Sequence, residues 1–218
     1  MLYWSGGKDS AMALHDLQSQ PAYAGYRTAR LLTTFTEGYD RVTGHGVRRE
    51  LIEDQAAGLG IELVASYIPK RATMRQYEDV TARHLSELRR CGIRHASSGD
   101  IFREKQRMAQ LQRAGLTGCF PLWNRHSHGH AKELIERGFK ALVVCVDAAL
   151  LGAELVGRAL DHDFLRDLPT GVDPCGENGE FHTFVFDGPV FAQPIRCTPG
   201  IVVTREGFHF CDLIPGAR

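Results

Sequence analysis

Leu2-Tyr3-Trp4-Ser5-Gly6-Gly7-Lys8-Asp9-Ser10 passes from a short apolar segment through two adjacent glycines into a stretch of helical spacing. Glycine carries no Cβ, so the pair lets the backbone turn sharply and present its N–H groups to a ligand. Those amides, with the positive end of the helix that follows, form an anion site. Lys8 adds a full positive charge, the Ser5 and Ser10 hydroxyls can donate further bonds, and Asp9 either braces the turn or approaches a magnesium ion. The pattern is not a Walker A loop, which needs G-x-x-x-x-G-K-[ST]; Lys8 is followed by Asp, and position 2 is Leu. A chance glycine pair would be a plain turn with a solvent-facing lysine. Placed between strand and helix, S-G-G-K-D-S reads as a phosphate loop.

Outward from this loop the chain alternates. Leu2-Tyr3-Trp4 reads as a strand, with a helix from Ser10 that places Leu14 and Leu17 on one face. The segment 29–35 is a buried strand, a stripe at 47, 51, 55 and 59 marks a helix, and Ile61 to Ile68 is a further strand. Tyr77, Val80, His84, Leu88 and Cys91 trace a long helix stopped by Gly92. A strand over 93–98 and a helix over 101–114 follow. Strand and helix taking turns predict a doubly wound α/β fold with a parallel sheet. The last third changes rhythm: a helix over 131–138, an apolar strand over 141–146, a helical turn or two over 161–168, and a loop over 169–179. Phe181 to Phe186 reads as a strand, and 201–204 with 208–213 as a hairpin turning at Arg205-Glu206-Gly207.

The 218 residues carry 26 Lys+Arg against 26 Asp+Glu, and 43% of them are hydrophobic. That is globular composition, without the basic excess of a protein that holds nucleic acid by bulk electrostatics. Nucleic acid is therefore not an expected partner. No apolar run reaches the roughly 18 residues that span a bilayer, and no secretory signal is visible, so a cytoplasmic protein with no membrane partner is expected. The six cysteines are scattered, without a C-x-x-C pair, which speaks against a zinc ribbon or redox dithiol. The run His126-Ser127-His128-Gly129-His130 has transition-metal chemistry, yet reads better as a polar turn before the Ala131 helix.

A second dense cluster is Cys175-Gly176-Glu177-Asn178-Gly179-Glu180-Phe181-His182-Thr183. Two carboxylates, an amide, an imidazole and a hydroxyl fall within a few residues, and the flanking glycines permit an unusual backbone path. Alone, this is equally an Asn-Gly turn with solvated glutamates. Beside a phosphate loop the functional reading gains weight.

S-G-G-x-D-S resembles the signature of the PP-loop ATP pyrophosphatases, which hold the β- and γ-phosphates and cleave ATP to AMP and pyrophosphate. G-E-N-G-E-F-H-T (176–183) looks like the hallmark of the diphthine–ammonia ligase family. The resemblance extends through His45-Gly46-Val47, Ser98-Gly99-Asp100-Ile101-Phe102, Phe120-Pro121-Leu122-Trp123, residues 140–147 and residues 184–189. It implies a Rossmann-like PP-loop ATP-binding domain over 1–125 and a smaller α+β substrate-binding domain over 126–218. The first strand is short compared with relatives, which is expected to weaken a sheet edge.

The resemblance also implies the chemistry. ATP, with magnesium, would lie over Ser5, Gly6, Gly7, Lys8, Asp9 and Ser10, with His45, Gly99 and Asp100 as further nucleotide contacts. Asp9 and Asp100 are the candidate magnesium ligands. Asp100 can equally bind ribose or simply cap the next helix, and His45 can be an exposed loop histidine. Lys8, Asp9, Glu177 and Glu180 are the expected catalytic groups, and Asn178, His182 and Thr183 are expected to position the acceptor. Adenylation turns a small-molecule or protein-borne carboxylate into an electrophile, which ammonia then converts to an amide. No glutaminase segment is visible, so ammonia is expected free or from a partner. Diphthine is the family's acceptor in archaea and eukaryotes; a bacterial chain would need another carboxylate. A tRNA-modifying adenylating enzyme and a non-catalytic nucleotide sensor are the alternatives. The C-terminal hairpin offers an edge for a homodimer.

Overall fold

A computed structural model describes residues 1–101 and 104–217, with backbone alone over 104–106. Phe102, part of the Ser98-to-Phe102 motif, lies outside the described residues.

The first sheet is built on β1 (Leu2–Tyr3), which lies parallel between β2 (Arg30–Thr36) and β5 (His95–Ser97). Beyond β2 lies β4 (Glu62–Ile68), and beyond β5 lies β6 (Thr117–Cys119), both parallel. The two-residue β3 (Arg41–Val42) pairs antiparallel with the end of β2, past the point where β1 stops. The short first strand therefore sits at the centre of the sheet, not at an edge. It is short because the chain leaves the sheet at Trp4 to form the glycine turn.

Helices cover both faces, as alternation predicts. On one side α1 (Lys8–Ser19) and α2 (Arg49–Leu59) bury Ala11, Leu14, Leu51 and Ile52. On the other, α3 (Met74–Arg90) and α4 (Glu104–Arg113) bury Leu85, Leu88 and Leu111 against Leu32 and Ala96. Adjacent Leu31 and Leu32 fall in opposite cores, which is the period-2 geometry of a strand buried on both faces. α1 starts at Lys8, two residues before the sequence expectation, because Gly7 already serves as its N-cap. α3 starts with a capping box, in which Thr73 and Gln76 satisfy each other's backbone amides.

The second sheet is antiparallel, in the order β8 (Phe181–Asp187), β7 (Lys140–Asp147), β10 (Phe208–Pro215), β9 (Cys197–Arg205). The hairpin turns at Glu206 and Gly207, both at positive φ, and β9 is longer than its sequence signal suggested. α5 (Ser127–Glu136) starts four residues before the expected Ala131. His126-Ser127-His128-Gly129-His130 is thus its N-cap and first turn, not a separate polar turn. A short α6 (His162–Asp167) is capped by Asp161, whose carboxylate accepts from the Phe164 amide at 2.8 Å. One hydrophobic core runs through both sheets, joining Leu14 and Ile52 to Phe181, Val185 and Leu213. Among the described residues no helix is long and apolar enough to cross a membrane.

Candidate active site

In the first sheet the strand order reverses at β1, whose neighbours β2 and β5 lead away in opposite directions. The carboxyl ends at such a reversal are where open α/β sheets bind ligands. Here they are the Ser5–Ser10 turn after β1 and the Ser98–Ile101 segment after β5. A cavity of about 420 Å³ opens between them.

The turn is held from three sides. Gly6 has φ +77°, and a Cβ there would meet Ile52 at 2.5 Å. Gln55, buried within α2, donates to the Gly6 carbonyl at 3.1 Å and to the Val185 carbonyl at 2.6 Å. Its own oxygen accepts from Trp4 Nε1 at 2.8 Å. The Val185 amide donates to the same Gly6 carbonyl at 2.8 Å, so β8 is stitched directly to the turn. Inside the turn, Ser10 Oγ donates to the Gly7 carbonyl at 2.9 Å and the Gly7 amide donates to Ser5 Oγ at 3.3 Å. The Lys8 amide, one of the donors left open at the start of α1, is met by Thr183 Oγ1 at 3.1 Å.

Lys8 itself is 5% exposed. Burial works against its charge, but Asp9, Cys175 and Glu177 nearby hold its ammonium above the ordinary lysine value. Asp9 Oδ2 lies 2.6 Å from Lys8 Nζ, and Asp9 Oδ1 lies 3.3 Å from His130 Nε2. Burial alone would raise the Asp9 carboxyl; Lys8 and His130 outweigh it and bring it down to about 2. A carboxylate only accepts, so His130 Nε2 carries the proton. His130 Nδ1 is buried with no hydrogen-bond partner among the described residues.

Across the cavity, the loop before β8 supplies Glu177. Its carboxylate has no hydrogen-bond partner among the described residues. Burial first, and the Asp9 charge second, push it up to about 7 against the pull of Lys8. Glu180 behaves differently. Its oxygens accept from the Asp173 amide at 3.1 Å, the Asn178 amide at 2.9 Å and Asn178 Nδ2 at 2.9 Å. Burial opposes its charge, but these donors lower its carboxyl. Glu180 and Asn178 thus fold the loop and do not line the cavity.

His45 and His182 stack with centroids 4.5 Å apart. His45 Nδ1 is 3.2 Å from the Thr183 carbonyl, which fixes the proton on Nδ1 and leaves Nε2 bare. Burial and Lys8 lower His45 to about 4 despite that bond, and burial, His45 and Lys8 lower His182 to about 3. Both rings are neutral at pH 7.

Asp100 lines the cavity but is engaged by Ser98 Oγ at 2.7 Å and Arg107 Nε at 3.1 Å. A Cβ on Gly99 would lie 2.6 Å from the Asp9 carbonyl carbon. Only glycine lets the β5 loop come this close to α1.

Two sequence profiles match the chain. That of the diphthamide synthase N-terminal domain covers residues 1–114, and that of the diphthamide synthase C-terminal domain covers 127–211. The chain belongs to the diphthamide synthase family.

Diphthine--ammonia ligase of Homo sapiens is 32% identical over 125 residues, covering 54% of this chain and 47% of the relative. The Bos taurus protein of the same name is 31% identical over 125 residues, with the same coverage, 54% and 47%. The Schizosaccharomyces pombe protein is 28% identical over 106 residues, which are 47% of this chain and 18% of the relative. The chain spans about half the length, or less, of these curated relatives.

Both diphthamide synthase profiles contribute to the one cavity. The N-terminal match brings Ser5, Gly7, Lys8, Asp9, Ser10, His45, Gly99 and Asp100 to its wall, and the C-terminal match brings Glu177, His182 and Thr183. Gly6 shapes the turn from behind. Sequence reasoning missed Gln55, His130 and Arg107. Gln55 had a signal, being the one polar residue in the 47-51-55-59 stripe. His130 stood in the His126-to-His130 run, of which only it is buried; His126 and His128 are exposed, so the three do not converge. Arg107 gave no signal in a polar helix.

Proposed function

We propose that the chain is an AMP-forming amide ligase: it activates a carboxylate with ATP and transfers the acyl group to ammonia. The observation that carries this reading is the shared cavity, in which the Ser5–Ser10 turn faces an unpartnered Glu177 and the Lys8 amide bonds Thr183. An ATP triphosphate fits the donors available there: the open amides of α1, the hydroxyls of Ser5 and Ser10, and the buried Lys8 ammonium. Magnesium fits as well. Among the described residues no three metal-ligating side chains gather, so no protein cage exists. That suits an ion that takes one or two carboxylates and fills its shell with phosphate oxygens and water. Asp9 and Asp100 are the residues that would hold it, and it would offset charge on the departing pyrophosphate.

The acceptor carboxylate attacks the α-phosphorus as the bond to the β-bridging oxygen breaks. Pyrophosphate leaves over the turn, where Lys8 takes up its charge. Ammonia then attacks the acyl carbon, and the C–O bond to AMP breaks. Glu177, with a pKa near neutrality, takes the proton that the nitrogen loses. His182 and Thr183 orient the acceptor, while Glu180 and Asn178 act through the loop that carries Glu177. The curated relatives are named for diphthine and ammonia, so a diphthine-bearing peptide is the first acceptor to try.

The test follows products of α-labelled ATP with magnesium, ¹⁵N-ammonium and a panel of carboxylates that includes that peptide. AMP, pyrophosphate and ¹⁵N-amide in equal amounts are expected. ADP with phosphate, or tight ATP binding without any cleavage, would overturn the reading.

A further inference from the structure

Among the described residues, two lysine or arginine side chains line the shared cavity, Lys8 and Arg107. Lys8 reaches out of the Ser5–Ser10 turn, with Nζ over the Phe181 ring of β8 at 5.8 Å. Arg107 comes from α4, with Cζ 4.4 Å from the centre of the Tyr3 ring of β1. The two cations thus lean on different sheets and address different parts of a bound polyphosphate. Lys8 serves the departing pyrophosphate, so the phosphate left for Arg107 is the α-phosphate. Resting on the ligase reading, we propose that Arg107 is a catalytic residue whose guanidinium binds the α-phosphate of ATP and holds it through the transfer step.

Arg107 is held in place without being used up. Nε donates to Asp100 Oδ2 at 3.1 Å and Nη1 donates to Gln110 Oε1 at 3.2 Å. Tyr77 of α3 lies within reach as a further partner. A guanidinium carries five N–H donors in a planar fork, so among the described residues these partners leave donors for a ligand. The Tyr3 ring beneath and Asp100 beside it fix the fork's orientation before any ligand arrives. Two parallel N–H bonds match two non-bridging oxygens of one phosphate. Tyr3 stands two residues before Ser5, so the strand that feeds the turn also supports the guanidinium.

The charges around the reacting phosphorus call for such a group. An α-phosphate turned toward Glu177 meets two carboxylates in the cavity wall, Glu177 and Asp100. The attacking carboxylate brings a further negative charge to the same atom. As its oxygen bonds to the α-phosphorus, the bond to the β-bridging oxygen breaks and its electron pair leaves with pyrophosphate. Arg107 moves no proton in this step. It donates hydrogen bonds to the non-bridging oxygens and offsets the charge gathered there. Arg107 also lines the wider cleft into which the cavity opens, so a phosphate held by it stays open to attack.

The experiment titrates AMP, and separately adenosine, into the full chain saturated with magnesium pyrophosphate, so that the Ser5–Ser10 turn is already filled. Calorimetry of the wild type is expected to show AMP bound more tightly than adenosine. Arg107→Met should weaken AMP binding about tenfold or more. Adenosine and pyrophosphate should bind that variant as before, which also shows that it folds. Arg107→Lys, which keeps the charge without the fork, should fall between the two. AMP bound no more tightly than adenosine by the wild type, or equally by the wild type and Arg107→Met, overturns the proposal while leaving the ligase reading intact. So does a parallel loss of adenosine and AMP in both variants, which makes Arg107 a prop for the cavity wall. A loss confined to pyrophosphate overturns it too, by assigning Arg107 to the turn. Failure of the wild type to bind pyrophosphate would instead strike the ligase reading, and the role of Arg107 with it.

Discussion

The Thr183 hydroxyl accepts a hydrogen bond from the Lys8 amide at 3.1 Å, joining residues 175 positions apart. The first helix of one half is thereby capped by a strand of the other. The Ser5–Ser10 turn and the acidic loop cannot move independently while that bond stands.

Thr183→Val keeps the shape of the side chain and removes the acceptor. A buried amide left unpaired costs about 1–3 kcal/mol. Urea unfolding should show a loss of that size, accompanied by weaker binding of an ATP analogue. An unchanged midpoint would mean that the cap contributes nothing.

Glu177 sets a pH dependence. Its carboxyl lies near 7 in the folded protein, so the fraction able to accept a proton rises through neutrality. Amide formation by the free enzyme, read as kcat/KM, should climb with pH through about 7, and Glu177→Gln should remove that limb. A raised folded pKa also means that the folded state binds the extra proton between about 4.5 and about 7. Glu177 therefore lends stability in acid that is lost as pH rises across this window, and Glu177→Gln should flatten that component.

The stacked histidines act in the opposite sense. His45 and His182 are lowered from 6.5 to about 4 and about 3, so between those values and 6.5 the unfolded chain binds more protons. Their contribution to stability is present above 6.5 and is lost as pH falls toward 3. The double variant His45→Gln/His182→Gln should lose less stability than the wild type between pH 7 and pH 5, read by denaturant midpoints at each pH.

His130 reaches Asp9 from α5 at 3.3 Å, and Asp9 in turn grips Lys8 at 2.6 Å. His130→Leu should weaken ATP-analogue binding by leaving Asp9 free to swing, and His130→Gln, which retains a donor, should restore part of it. Equal loss in both variants would show that the imidazole only fills space.

Much of this was legible from residues alone. The doubly wound half followed from periodicity, and S-G-G-K-D-S lies where strand gives way to helix, as its glycines required. The G-E-N-G-E-F-H-T segment was legible as a cluster, but its division of labour was not. Glu177 and Glu180 are three apart with similar flanks; only the folded loop shows that three donors occupy Glu180 while, among the described residues, none occupies Glu177. Gln55 was hidden because a helical stripe is read for its apolar majority, whereas its amide matters through partners at positions 4, 6 and 185. His130 was obscured by its neighbours, since a histidine-rich run suggests a metal or a turn before it suggests a single buried contact. β3 and β6 were too short for any period to register.

A crystal structure with magnesium and an ATP analogue that cannot be cleaved between the α- and β-phosphates reaches furthest. The β- and γ-phosphates should lie on the Ser5–Ser10 amides beside Lys8, with the α-phosphate turned toward Glu177. A triphosphate bound elsewhere, or an α-phosphate facing away from the 176–183 loop, would rule out the ligase mechanism drawn from this cavity.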